Sequence, residues 1–290
     1  MTATTWGGEQ LDLDAYLARI GYDGDRRPTL ETLRKLHTAH SAAIGFENIE
    51  ILLGRPILLD LESLQAKMVR QRRGGYCYEQ NLLYAAALER LGFRVRGLGA
   101  RIRMGEDTVR PVTHALLAVE LAGTEWITDV GFGGEALLAP LPLRDGVEER
   151  QGAWTFGLVH EKETASWLLR SRHEDGWFDL YAFGTERRYA VDYAVFNHYI
   201  STHPRSPFTG RLVVQKPGPE ERRTLVGREL TRIRPDWSRE VREVAPQEIP
   251  ELLATAFGIT LTATDAAALV ATYAMYATEG ADGRDGAGAE

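Results

Sequence analysis

The hydrophobic period changes at Gly92, and that change constrains the fold more than any other feature of the chain. Upstream of it, apolar residues recur at helical spacing. Leu13, Tyr16, Leu17 and Ile20 share a face, and Gly21 supplies a stop. Leu30, Leu33, Leu36, His37 and His40 form a second broad face, and Asp60 can cap LESLQAKMVR. Leu83, Tyr84, Ala87, Leu88 and Leu91 make an apolar stripe that Gly92 ends. Downstream, FRVRGLGARIRM, HALLAVEL, EWITDVGF and GWFDLYAF are short and apolar or alternating, the pattern of strands. Gly and Pro between them point to antiparallel structure, a small barrel or a curled sheet. Beyond about Tyr199 the two periods mix. GRLVVQKP and RTLVGRELTRI read as strands, IPELLATAFG and TATDAAALVATYAMYA as helices. The small polar end, EGADGRDGAGAE, reads as disordered. No internal repeat is present, so the outline is helical, then β, then mixed.

The 290 residues leave room for two or three modules. A net charge of −7 without a long basic run argues against nucleic-acid binding, although a local group of arginines can still hold phosphate. The chain has one cysteine, so no intramolecular disulfide can form, which fits a reducing compartment. The first residues carry neither a basic start nor an apolar core of a secretory signal, and runs such as LLYAAAL fall short of the roughly 20 residues of a membrane span. A cytoplasmic protein with no membrane partner is expected.

That cysteine, Cys77, lies in RRGGYCYEQN. The glycine pair permits close backbone approach just before a predicted helix, which places Cys77 near the first helical turn. Free N–H groups and the helix dipole there favour an anion, and a thiolate is the form that attacks acyl carbons. The competing explanation is a small buried hydrophobe. A nucleophile needs a base and an orienting partner. His114 opens HALLAVEL and Asp129 lies in EWITDVGF, with Gly123-Thr124 between them as a hairpin loop. If those two form the loop, Ala122 opposes Glu125, and even positions on the first strand share a face with odd positions on the second. His114 and Asp129 then point to the same side, towards the same end of the hairpin, unless a bulge intervenes. Singly, His114 also reads as a strand-end histidine and Asp129 as a turn-capping carboxylate before Gly131, Gly133 and Gly134.

The order Cys, His, Asp occurs in papain-like peptidases and transglutaminases as well, so order alone leaves the reaction open. The local words narrow it. RGGYCYEQN, Thr113-His114, DVGFGG at 129–134, FEN at 46–48 and YISTHPRSPF at 199–208 together resemble the arylamine N-acetyltransferase family, with actinobacterial members most alike. The resemblance covers all but the tail. It implies an α+β protein with a cysteine-protease-like catalytic core: an N-terminal helical bundle (1–92), a central antiparallel β-barrel (93–199) and a C-terminal α/β lid (200–278), followed by a disordered tail (279–290). It also implies acetyl transfer from acetyl-CoA to an arylamine, arylhydrazine or N-hydroxyarylamine, with no permanently bound cofactor and a monomer or homodimer as the assembly. Matched position by position, Cys77 is the nucleophile, His114 the base and Asp129 the orienting carboxylate. Phe46 and Phe132 correspond to the aromatic pocket, Phe208 to the acyl and CoA entrance, and Thr113 and Gly133 to positions near CoA. Glu47 and Arg73 match a buried supporting pair. The family's proline before Phe46 is Gly45 here, which predicts a looser turn at the pocket rim.

The resulting expectation is ping-pong chemistry through an acetyl-Cys77 thioester, with His114 taking the amine proton while Asp129 fixes its tautomer. An arylamine is unprotonated at neutral pH, so an aromatic-lined cleft suits it. DVGFGG lacks the spacing and lysine of a nucleotide-binding P-loop. His37 and His40 complete no metal set and read as packing residues. His198 and His203 flank the last segment and read as surface or interface residues, with CoA contact as the alternative, and Arg101, Arg103 and Arg110 are solvated or recognise phosphate. Three alternatives stay open. One is a same-fold acyltransferase or amide synthase acting on an aminophenol, an aminohydroxybenzoate or a polyketide amine. The others are a thiol hydrolase or peptidase, and an inert CoA-binding protein.

Overall fold

The computed structural model describes residues 5–282. The first helices form where the period and caps place them. α1 (Leu13–Ile20) starts at Asp12 and stops at Gly21, whose φ of 67° closes the helix. α2 (Leu30–Ala43) is capped by the Thr29 side chain. β1 (Phe46–Glu47) and the single turn α3 (Ile49–Leu52) follow. α4 (Leu61–Leu64) is capped by Asp60 and continues as a π-helical stretch, Gln65–Arg70. α5 (Cys77–Arg90) is buried along most of its length. These helices pack around one apolar core that holds Tyr16, Leu33, Leu64 and Leu83.

Eight strands then make a sheet: β2 (Arg94–Ile102), β3 (His114–Leu121), β4 (Thr124–Thr128), β5 (Leu141–Pro142), β6 (Val147–Gln151), β7 (Trp154–Glu161), β8 (Ser166–His173) and β9 (Gly176–Phe183). Their order, β5-β4-β3-β2-β9-β8-β7-β6, is antiparallel throughout and curls until its edge strands lie side by side. β3 shows how the pattern serves two cores. Ala115, Leu117 and Val119 face α5 and join the helical core, while Leu116 and Ala118 face the barrel interior with Phe156 and Leu180. A strand buried on both faces reads as a continuous apolar run, as HALLAVEL does.

α6 (Ala190–Thr202) returns to the helical core through Tyr193 and Ile200, so the barrel boundary expected at 199 falls inside this helix. The last lobe has β10 (Val213–Lys216), β11 (Arg222–Val226), β12 (Glu229–Ile233) and β13 (Arg239–Glu243), then the single turn α7 (Ile249–Leu252) and α8 (Ala263–Asp282). Its five-stranded sheet borrows β1 from the N-terminal lobe, in the order β1-β10-β11-β12-β13. Leu212, Val214, Leu225 and Leu269 pack its own core. The segment RTLVGRELTRI is therefore two strands, turned at Gly227. α8 runs to Asp282, so residues 279–282, expected to be disordered, are helical; 283–290 lie outside the described residues. Among the described residues no helix is long and apolar enough to cross a membrane.

The β3–β4 hairpin differs from expectation by one step. Leu121 opposes Thr124 and the turn is Ala122-Gly123, both at positive φ (50° and 78°). Moving the turn by one position shifts each pairing by two residues, so facing parity is kept and Asp129 moves closer to His114. Gly45 is not loose. Its carbonyl accepts from Gly75 N–H at 3.2 Å, and Phe46 bridges Gly75 in parallel. Gly74 makes this approach possible: a Cβ there would lie 2.2 Å from the Gly45 oxygen. Gly74→Ala is accordingly expected to cost about 1–3 kcal/mol through forced backbone movement, read as a lower urea midpoint with an unchanged slope.

Candidate active site

Cys77 is the first residue of α5, at the point where the chain emerges from the Gly74-Gly75 bridge. Glu79, two residues on, turns back to accept from the Tyr76 N–H at 3.0 Å and so holds the helix start. The Cys77 side chain is nearly buried, as are His114 on β3 and Asp129 just past β4. His114 Nε2 lies 2.6 Å from Asp129 Oδ2, which leaves the other ring nitrogen for the Cys77 thiol, whose interaction with the ring helps to raise the imidazole.

Asp129 is fully buried and every approach to its carboxylate carries a donor. Oδ1 accepts from Asn81 Nδ2 and from Gly131 N–H, both at 3.0 Å, and Oδ2 accepts from the Tyr181 hydroxyl at 3.0 Å beside His114. Burial pushes this carboxyl up, but His114, Asn81 and the Gly131 amide outweigh it and the group stays below the ordinary carboxylate range. Burial likewise pushes the imidazole down. Asp129 and Cys77 reverse that and raise His114 to about 10. The Tyr181 hydroxyl is raised well above its ordinary value, by burial first and by Asp129 second, so it remains a donor. A charged pair, imidazolium and carboxylate, is the form this pocket favours at neutral pH.

Asn81 and Tyr181 escaped the sequence reading. Asn81 sits one helical turn after Cys77, on its face of α5, where an i, i+4 count would have found it. Tyr181 packs tilted against His114 and edge-on to Phe132, with centroids 5.0 and 4.9 Å away, and only the barrel's closure brings it there. Gly131 also has to be small, because a Cβ would lie 2.8 Å from both Asn81 Nδ2 and the Cys77 Cα.

A cavity of about 580 Å³ opens above Cys77 and His114. Phe46, Thr113, Phe132 and Phe208 line it, with the Phe46 and Phe208 rings 5.6 Å apart. Gly133 stands behind the wall, where its φ of 98° and its closeness to the Gln215 amide oxygen, 2.0 Å from a notional Cβ, exclude a side chain. Arg110, Arg205 and Arg211 also line the cavity. Arg110 is paired with Glu106, whereas Arg205 and Arg211 form no ion pair among the described residues. Arg101 and Arg103 line a separate cavity, and Arg103 is paired with Asp107 and Glu161. Behind the nucleophile, Glu47 and Arg73 are both buried and meet at 3.0 Å; Lys67, Glu50, Glu79 and Asp265 extend the network. The Glu47 carboxyl is held below the ordinary carboxylate range. Burial raises its pKa, and Lys67 and Arg73 lower it further than burial lifts it.

His37 and His40 are buried packing residues. His37 bonds Thr128 Oγ1 at 2.7 Å and the Leu137 carbonyl at 2.9 Å, and His40 bonds the Tyr16 hydroxyl at 2.9 Å. Burial lowers them to about 4 and about 3, so both are neutral. His198 is exposed on α6, and His203 is half-buried at its end, stacked on Tyr199.

The profile of the N-acetyltransferase family matches residues 29–266. An arylamine N-acetyltransferase of Mycolicibacterium smegmatis is 38% identical over 257 residues, 87% of this chain and 93% of that protein. The crystal structure of the Nocardia farcinica arylamine N-acetyltransferase is 48% identical with a TM-score of 0.87, covering 93% of this chain and 97% of the other. The Mycobacterium marinum arylamine N-acetyltransferase, solved in complex with CoA, is 36% identical with a TM-score of 0.84, covering 90% and 98%. With matching fold, length and local motifs, the chain belongs to the arylamine N-acetyltransferase family.

Proposed function

We propose that the cavity above Cys77 transfers an acetyl group from acetyl-CoA to an arylamine, arylhydrazine or N-hydroxyarylamine. The observation that carries this reading is the contact chain from the Cys77 thiol through His114 to Asp129, set at the floor of an aromatic-walled cavity with arginines at its rim. In the first half-reaction the Cys77 sulfur attacks the acetyl carbonyl. The carbonyl–sulfur bond to CoA breaks, and the CoA thiolate leaves with a proton from the His114 imidazolium. In the second, the amine nitrogen attacks acetyl-Cys77, His114 takes the amine proton, and the thiolate is regenerated. Asp129 keeps the ring oriented throughout and balances its charge.

The substrate assignments follow from the walls. Phe46, Phe132 and Phe208 offer aromatic faces to a neutral arylamine, and an alkyl ammonium would have to shed both water and a proton to enter. Arg205 and Arg211 suit the phosphates of CoA because no carboxylate among the described residues engages them; Thr113 lines the same cavity, and Gly133 backs its wall against Gln215. Glu47 and Arg73 support the bridge that presents Cys77 without touching the reacting atoms. The helical, barrel and C-terminal lobes, each with its own apolar core, act as the three domains, and the site lies where they meet.

Intact mass after addition of acetyl-CoA alone tests the central claim. The wild type is expected to gain one acetyl group, Cys77→Ala none, and an arylamine should discharge the adduct; a wild type that never gains it refutes the proposal. Asp129→Asn keeps the shape but forfeits the charge, with an expected loss of about 10³- to 10⁴-fold in kcat. The pair also affects stability. His114 is raised above its unfolded value and Asp129 held below its own, so the stabilisation is complete from about pH 4 to pH 6.5. It fades as pH rises through about 10, the folded value of His114. The Tm difference between wild type and Asp129→Asn should therefore be widest near pH 6 and shrink towards pH 10. Arg205→Ala and Arg211→Ala should each raise the KM for acetyl-CoA about 10-fold and leave turnover with p-nitrophenyl acetate unchanged, because that donor has no phosphate.

A further inference from the structure

The C-terminal sheet meets the loop after Asp129 through one face of two strands. Register places Val213 opposite Val226 and Gln215 opposite Thr224, with Arg222 two residues before Thr224 on β11. Val213, Gln215 and Val226 line the catalytic cavity. Thr224 and Arg222 continue the same face past the cavity and onto the loop. Gln215 Oε1 accepts from the Gly134 N–H at 3.2 Å, and a Cβ on Gly134 would come within 3.1 Å of the Thr224 methyl. Glu135 is the next residue. Its Oε2 lies 3.1 Å from Arg222 Nη1, accepts from Ser171 Oγ at 2.7 Å, and sits 3.0 Å from His173 Nε2.

Arg222 is 2% exposed, neither Nη1 nor Nη2 makes a hydrogen bond, so that Glu135 meets it as an ion pair alone, and its guanidinium stacks on Trp154 at 3.9 Å from the ring centre. Burial lowers its pKa to about 10, with Glu135 working against that, so the side chain stays cationic at neutral pH. Burial pushes Glu135 up, but His173, Arg222 and Ser171 outweigh it and keep the carboxyl charged. The charge of Arg222 thus has Glu135 as its one ion-pair partner among the described residues, besides the aromatic face. Ser171 and His173 belong to β8, so Glu135 fastens the loop to the barrel on one side and to the C-terminal sheet on the other.

We propose that the Glu135–Arg222 pair is a positioning element that sets the width of the acyl cavity, by holding the Val213–Gln215–Val226 wall against the loop that carries Phe132. The kinetic part of this inference rests on the acyl-transfer reading; the structural part does not. Loss of the pair frees the wall to move away from Cys77, which weakens binding of donor and acceptor and admits longer acyl chains. The triad is untouched, because Asp129 is held by Asn81, Gly131 and Tyr181 and not by the C-terminal sheet.

Glu135→Gln is the gentler probe, since the amide keeps the size and can still bond Ser171 and His173; Arg222→Gln is the companion. In each, KM for acetyl-CoA and for an arylamine should rise about fivefold with kcat within about twofold, and the butyryl-CoA to acetyl-CoA rate ratio should rise several-fold. The double variant should be no worse than either single one. Hydrogen exchange of ligand-free protein should be about tenfold faster at the 134–136 amides and unchanged at Gly131 and in α2. Folded variants with an unchanged acyl-length ratio, losses that add in the double variant, or unchanged loop exchange overturn the proposal. A loss of stability without a change in acyl-length preference also overturns it. Should the wild type accept no acetyl group on Cys77, the acyl-transfer reading fails, and the exchange measurement still decides whether the pair holds the loop.

Discussion

A fully buried carboxylate governs how this protein is assembled. Asp129 costs several kcal/mol to desolvate, and it is tolerable only while its four donors are in place. Those donors come from different parts of the chain: Asn81 from α5, His114 from β3, Tyr181 from β9 and the Gly131 amide from the loop itself. The helical lobe and the barrel therefore have to dock in one arrangement, because any slip strands the charge. The same docking delivers the thiol to the imidazole. Assembly of the fold and assembly of the nucleophile are one event.

A second set of charges extends this logic to the third lobe. Arg73 reaches Glu47 on β1 and Glu50 on α3 and lies 3.8 Å from Asp265 on α8, while Lys67 joins Glu47 to Glu79 at the start of the nucleophile's helix. β1 is itself a strand of the C-terminal sheet. The short stretch from Gly45 to Glu47 is thus shared property: its backbone pairs with Gly75 beside Cys77 on one side and with β10 on the other. Buried ion pairs contribute little net stability, but they penalise wrong arrangements heavily, and here the penalised error is a displaced Cys77.

Much of the helical lobe was legible in the sequence because its signals are local. Asp12, Gly21 and Asp60 sit at the helix ends that their side chains or backbone freedom dictate. The face shared by His114 and Asp129 was legible too, since alternation is insensitive to a turn displaced by one position. Three things were not. β6, β7 and β8 were not picked out, as VEERQ is polar and the barrel closes through long-range pairing that no window contains. α6 lacked a one-sided pattern: Val191 and Val195 are exposed while Tyr193 and Asn197 are buried, so its apolar residues circle the helix. The Asn81 and Tyr181 bonds to Asp129 and the Glu135–Arg222 contact are meetings of residues 48 to 87 positions apart, set by topology alone.

The alternation of the β10–β11 pair separates two kinds of selection. Leu212, Val214 and Leu225 lie within the C-terminal core, whereas Val213, Gln215 and Val226 face the cavity. A change at Gln215 or Val226 alters which molecules fit with little effect on a core, whereas Val213 also packs into the helical core, and a change at Leu212, Val214 or Leu225 alters folding first. Neighbouring codons therefore answer to different demands. A lineage can drift in substrate preference at Gln215 and Val226 without first acquiring the stability reserve that remodelling a core requires.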